Sequence, residues 1–177
     1  MHAVAQVLAP PQPIQLRDGA WLRDELSYLW RQHFGDVPQV NRVDVRFGAS
    51  WKSRLGVIRL SADERTSNIG VNALLSQPEA PYFIARITIA HEMVHYAHGF
   101  GSPLPRKHRH PHRGRVVEKE LRARGLSAEF DVYQSWIHEH WYDFFDRVAL
   151  NSAVVSPRAA TGPVGETYES QQLEIPL

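Results

Sequence analysis

The most constraining feature of the sequence is a pair of histidines, four residues apart, inside an apolar segment with helical spacing. The segment PYFIARITIAHEMVHYAHG (81–99) holds the pattern HEMVH at residues 91–95. On a helix, residues i and i+4 lie one above the other, so the imidazoles of His91 and His95 are directed to one point. The pattern therefore predicts a helix that presents two metal ligands from one face.

Glu92 follows the first histidine and lies about 100° around the helix from it. This position suits a base that reaches a metal-bound water better than it suits a ligand. A zinc ion lowers the pKa of its water toward ~7, and a nearby carboxylate takes the proton as the water attacks a carbonyl. HExxH is therefore a pattern typical of zinc hydrolases. Without a metal, burying these three side chains in an apolar helix would be costly, so we predict a metal site with Glu92 as the catalytic residue.

A catalytic zinc ion needs a third protein ligand and an open position. The candidates are His98, one of the two loop histidines His110 and His112, and an acid on the following helix such as Glu118. His98 comes three residues after His95, but three ligands from one straight helix seldom converge on one ion. The spacing alone leaves the third ligand open.

The rest of the chain shows helical and strand patterns in successive blocks. The first predicted segment is a helix over 21–34 with Asp18 as its N-cap. The others are strands at 43–47 and 55–61 with a hairpin-like connection, a short strand and helical turn within 68–77, the HExxH helix, a short helix ending at Gly125, and a long amphipathic helix over 128–150. A helix, then strands, then helices is the order of an α+β fold. We expect a small antiparallel sheet packed on the helix that carries the two histidines.

The composition divides the 177 residues into three parts. Residues 1–16 are predicted to be a flexible lead, residues 17–150 one folded domain, and residues 151–177, rich in Gly, Pro, Ser and Thr, a disordered tail. The tail carries a net charge of −2, from one cation and three acids: Arg158, Glu166, Glu169 and Glu174. One domain with its own core is what this length supports.

The chain contains no cysteine. This excludes disulfides, cysteine-ligated zinc ribbons and thiol catalysis, and it agrees with a reducing compartment. No segment approaches the ~20 apolar residues of a membrane-spanning helix. We therefore expect a cytoplasmic protein with no membrane partner.

A Pro-rich basic loop follows the HExxH helix. The sequence RKHRHPHRGR (106–115) holds five Lys/Arg, three His and no acid. Such a cluster can contact DNA phosphates and release their counterions, whereas a solvated loop whose histidines flank the metal is the alternative interpretation. The five cations are Arg106, Lys107, Arg109, Arg113 and Arg115.

These segments together resemble the SprT-like family of zinc metallopeptidases. The resemblance shows in the N-terminal helix, in WKSRLGVIRLS, in VNALLSQPEAPYFIARITIAHEMVHYAHG and in HRGRVVEKELRARGL. The last block is similar to the family's third-ligand element, with Val116 at its apolar position. The resemblance implies a zincin-like metalloprotease domain that binds Zn2+ through His91, His95 and His112.

The resemblance also implies an activity, which is hydrolysis of peptide bonds in a protein or peptide substrate by a zinc metalloendopeptidase with Glu92 as base. Substrates in this family include DNA-associated proteins. Some members carry a Cys-rich zinc ribbon after the protease domain, and this cysteine-free sequence has none. The second hypothesis is a non-catalytic DNA-binding adaptor that uses the basic loop 106–115.

Overall fold

The computed structural model describes residues 17–155 and 172–174. In chain order, the helices and strands are α1 (Gly19–His33), β1 (Arg42–Phe47), β2 (Arg54–Leu60), β3 (Thr66–Val71), α2 (Tyr82–Ala97), α3 (Val116–Leu121), α4 (Ser127–Val155) and β4 (Gln172–Glu174). A 3-10 turn, Ala73–Ser76, connects β3 to α2 as the sequence predicted. The mixture of helices and one small sheet confirms the α+β class.

The sheet has the strand order β1-β3-β2-β4 and contains both parallel and antiparallel pairs. β1 runs parallel to β3, whereas β2 runs antiparallel to both β3 and β4. The prediction of a hairpin between the first two strands is therefore wrong, and the sheet is mixed rather than purely antiparallel. Burial explains the arrangement. β3 buries every second residue (Ser67, Ile69 and Val71) and takes an inner position, whereas β1 buries only Val45 and lies at the edge.

The helix that carries the HExxH pattern is the central element of the core. Twelve of the sixteen residues of α2 are buried, as expected for a helix that is covered on nearly all sides. It packs against β2 on the sheet and against α1, α3 and α4. The ion pair between Arg86 and Glu25, at 2.6 Å, joins α2 to α1. This enclosure places the polar residues of the pattern in the interior.

The ends of the helices follow local sequence signals. Asp18 caps α1 by accepting hydrogen bonds from the backbone N–H groups of Ala20 and Trp21, both at 2.9 Å. Beyond α2, Gly99 has a φ of +77°, and a Cβ at this position would lie 2.5 Å from two loop carbonyl oxygens. Only glycine fits this turn, and the chain folds back against the end of α2 there.

The C-terminal helix is longer than the sequence predicted. α4 continues to Val155, past the expected domain boundary at residue 150, and β4 lies within the segment expected to be a tail. The remainder of that tail (156–171 and 175–177) and the predicted lead (1–16) lie outside the described residues. Among the described residues, no helix has the length and apolar character needed to cross a membrane.

Candidate metal centre

Three histidines from two parts of the chain meet at one point. His91 and His95 lie on α2, and His112 lies just before α3; each offers a ring nitrogen within 4.8 Å of the others. The ring centroids are 4.8 Å apart for His91 and His95, 4.7 Å for His95 and His112, and 5.5 Å for His91 and His112. The three side chains can therefore hold one metal ion.

The loop between α2 and α3 brings His112 to the helical pair. The backbone N–H of Lys107 donates to the carbonyl of His98 at 3.0 Å, which fixes the loop to the end of α2. After His112, Gly114 and Arg115 both have positive φ, at +74° and +57°, and they turn the chain sharply into α3. α3 packs on α2, so the residue that precedes this turn is held beside the HExxH helix.

Most ring nitrogens of His91 and His95 lack a hydrogen-bond partner within the described part of the chain. Nε2 of His91 and both ring nitrogens of His95 are buried and have no hydrogen-bond partner among the described residues. Leaving such a group unsatisfied costs about 1–3 kcal/mol, and a metal ion would satisfy it. These orphaned nitrogens fit a metal-binding role.

Burial also keeps the two imidazoles neutral. It lowers the pKa of His91 well below the usual range, and it lowers the pKa of His95 to about 3; neighbouring histidines add to both effects. A histidine binds metal through its neutral form. Protons therefore compete weakly for this site near neutral pH.

The carboxyl group of Glu92 lies between α2 and the sheet. It is fully buried, and neither of its oxygens has a hydrogen-bond partner among the described residues. Burial raises its pKa well above the ordinary value, and the positive charge of Arg54 partly opposes this. A Cβ atom on Gly56 of β2 would lie 2.6 Å from Oε1 of Glu92. The glutamate thus occupies space that a glycine on β2 leaves open.

Sequence reasoning missed two polar residues around Glu92. Arg54 of β2 acts on the carboxyl electrostatically. Tyr133 of α4 is buried, and burial together with the charge of Glu92 raises the pKa of its hydroxyl above the usual range. In the sequence, Tyr133 matched only the apolar stripe of α4, and Arg54 matched only a connection between strands. Neither position carries a local signal of its role.

The structure places His98 outside the three-histidine cluster. Its side chain is buried, its ring lies 4.7 Å from the ring of His108, and its Nε2 is 3.9 Å from a carboxylate oxygen of Glu120. His98 therefore packs under the loop on the side of α3. This agrees with the expectation that one straight helix does not supply all three ligands.

The other two candidates for the third ligand also lie elsewhere. His110 is exposed and is not a member of the cluster. Glu118 forms ion pairs with Arg115 at 2.6 Å and with Arg122 at 3.1 Å. Of the alternatives that the sequence left open, His112 is the residue that the structure brings to the helical pair.

All five cations of the basic loop are exposed: Arg106, Lys107, Arg109, Arg113 and Arg115. Arg106 lies over the ring of Phe100, 5.1 Å from its centroid, and Arg115 pairs with Glu118. These cations lie on both sides of His112 along the chain. Contact with DNA through this loop stays a prediction.

Comparison with known protein families, with curated proteins and with solved structures found no match for this chain. The geometry of the site is therefore the basis for its interpretation. That geometry defines a three-histidine cluster, with a buried glutamate beside it, that can hold a metal ion.

Proposed function

We propose that this protein is a zinc-dependent metallopeptidase that hydrolyses peptide bonds. The observation that carries the proposal is the convergence of His91, His95 and His112 with Glu92 adjacent to the first of them. The resemblance of the sequence to the SprT-like metallopeptidases supports the same activity. The zincin-like character of the domain is part of this proposal.

The chemistry of the three donors favours zinc. Three neutral imidazoles and no thiolate suit Zn²⁺, and three protein ligands leave a fourth position for water or substrate. His112 is the exposed member of the three, so the cluster has one ligand at the protein surface. When bound, zinc would lower the pKa of a water molecule and polarise the scissile carbonyl.

Glu92 is suited to move the proton in this reaction. Burial favours its protonated form, whereas a cation held by the histidines would favour its charged form. A carboxyl group whose pKa is raised by burial and lowered by a nearby cation can accept a proton and then release it to the leaving nitrogen. The backbone of β2 at Gly56 limits the positions that the Glu92 carboxyl group can take.

The proposal is tested by separating metal binding from hydrolysis. Glu92→Gln keeps the shape of the side chain and removes the base, so this variant should retain zinc and lose cleavage of an unfolded protein substrate. His91→Ala and His95→Ala should lose both zinc and cleavage. The matched control is Glu118→Gln, which changes an acid paired with two arginines outside the cluster. Full zinc retention by the His91→Ala/His95→Ala double variant would overturn the proposal.

The exposed cations of the basic loop favour a second candidate, a DNA-binding adaptor without catalysis. Binding to single-stranded DNA through all five would give a slope of log K against log salt of about −3.5, because each phosphate contact contributes about −0.7. Salt-dependent binding of this strength with no cleavage of any protein substrate would favour the adaptor. Salt-independent or absent DNA binding would exclude it.

A further inference from the structure

The outer edge of β2 is covered by a segment from the far end of the chain. Gln172–Glu174 forms β4, which pairs with β2 in antiparallel orientation, with Arg54 opposite Glu174 and Val57 opposite Gln172. β3 pairs with the other edge of β2. Without β4, β2 would present a row of unpaired backbone groups on this side, and such an edge is a template for another chain.

The edge covered by β4 belongs to β2, the strand whose backbone lies beside the carboxyl group of Glu92. Gly56 lies between the two β2 residues that pair with β4, and it is the residue whose Cβ would collide with the Glu92 carboxyl. A chain that pairs with this part of β2 therefore runs past the strand segment in contact with the proposed base.

An extended polypeptide can bind to a sheet edge through its backbone, in either chain direction and with little demand on its side chains. We propose that Gln172–Glu174 is an internal competitor, which must leave the outer edge of β2 before an extended polypeptide substrate can bind beside Glu92. This inference rests on the proposed peptidase function. It assigns the C-terminal segment a regulatory role at the same site.

The pairing of β4 with β2 is short and irregular, which suits a segment that binds reversibly. β4 is three residues long, and its pairing with β2 has an irregular register between Arg54 and Val57. A strand this short is weakly held by its own backbone bonds, since typical strands have about five or six residues. Because it belongs to the same chain, however, it competes at a high effective concentration. A long substrate with more backbone pairs can still displace it.

The test disrupts the pairing in the full-length protein. Successive N–H groups of a strand point to opposite edges, so Gln172→Pro/Leu173→Pro removes one donor directed at β2 in either register. The control, Gln172→Ala/Leu173→Ala, keeps both backbone donors. Hydrogen exchange at the amides of residues 54–58 reports the pairing, and the initial rate of hydrolysis of an unfolded protein reports access to the site.

We expect faster exchange at residues 54–58 in the proline variant and a hydrolysis rate raised about three- to tenfold, since a tethered competitor acts at millimolar effective concentration. The alanine control should match the original protein in both measurements. A synthetic peptide of residues 168–177, added to the proline variant, should slow exchange again and inhibit hydrolysis competitively.

Two results would overturn the inference while leaving the peptidase proposal intact. One is unchanged exchange at residues 54–58 in the proline variant, which would show that the edge is not held by β4. The other is faster exchange with a hydrolysis rate equal to that of the original protein, which would show that the edge is not the substrate site. Absence of hydrolysis from all the proteins would contradict the peptidase itself, and the inference with it.

Discussion

The carboxyl group of Glu92 on α2 lies in the space that a side chain on Gly56 of β2 would fill. A Cβ on Gly56 would lie 2.6 Å from Oε1 of Glu92 and 2.7 Å from Cγ2 of Thr88. The position of the proposed base is therefore determined as much by a strand residue 36 positions earlier in the sequence as by its own helix.

Gly56→Ala should displace the proposed base and leave metal binding unchanged. The added methyl group forces the Glu92 carboxyl to shift, and a displacement of ~1 Å in an active site can lower the rate about 10²-fold. We expect kcat/KM to fall by about this factor while the zinc content stays at one ion per chain. Gly35→Ala is the control, because its Cβ would meet nothing closer than 3.9 Å. Equal kcat/KM for the two variants would contradict the prediction.

Removal of the third ligand should weaken zinc binding selectively. The comparison is His112→Ala against His110→Ala, two histidines of the same loop of which only the first belongs to the cluster. A ligand present at 100 times its Kd stabilises the folded state by about 2.7 kcal/mol. We expect zinc to raise the thermal midpoint of the original protein and of His110→Ala by the same amount, and that of His112→Ala by much less. A full zinc-induced shift in His112→Ala would exclude this residue as a ligand.

Metal removal should be reversible. Because no thiolate is available to oxidise, a protein treated with chelator should regain hydrolysis when zinc is added back. Recovery of the initial rate after dialysis against zinc is the measurement, with magnesium as the control ion, which prefers oxygen ligands. Unchanged hydrolysis in the chelated protein would contradict a metal-dependent mechanism.

The metal-free protein should lose stability as the pH falls, in part because of His98. Burial lowers the pKa of His98 to about 4, whereas an unfolded histidine has a pKa near ~6.5. Between these values the unfolded state binds more protons, so the free energy of unfolding decreases as the pH falls from about 6.5 to about 4. We expect the difference in urea midpoint between pH 7 and pH 5 to be smaller for His98→Gln than for the original protein. An unchanged difference would show that His98 does not contribute.

The ion pair between Arg86 and Glu25 should stabilise the fold without affecting catalysis. Both side chains are mostly buried, at 17% and 12% exposed, so Glu25→Gln leaves a guanidinium in the interior with a weaker partner. Removal of one member of a buried pair costs about 3–5 kcal/mol at most, and the remaining contact of Arg86 with Glu129 should reduce this cost. The exposed pair Lys52–Asp146 is the control, and Asp146→Asn should cost less than about 1 kcal/mol. Denaturant unfolding of both variants is the measurement.

The parts of the site that could be predicted from sequence are those that lie on one helix. The i and i+4 spacing of His91 and His95 indicated a shared face, and α2 has that face. His112 was one of several candidate third ligands in the sequence, and only a resemblance singled it out. The distance between α2 and α3 depends on a loop whose path is set by Gly99 and Gly114. Spacing along the chain does not encode that path.

The strand order could not be predicted for a related physical reason. Alternating apolar residues in β1, and β-branched and apolar residues in β2, indicated two strands, but not that β3 would lie between them. A strand takes an inner position when both of its edges pair with other strands. Which strand does so depends on packing contacts between residues that are far apart in sequence. The proximity of Gly56 and Tyr133 to Glu92 could not be predicted for the same reason, because these residues are far from Glu92 in the sequence.

The loop that carries His112 has one more consequence. An ion held by His95 and His112 would close the chain between α2 and α3 into a ring in the folded state. It would stabilise that state through its binding free energy, because an unfolded chain rarely presents such a site. This chain has no cysteine. The cross-link between α2 and α3 would then be a pair of coordination bonds, which a chelator can remove and added zinc can restore.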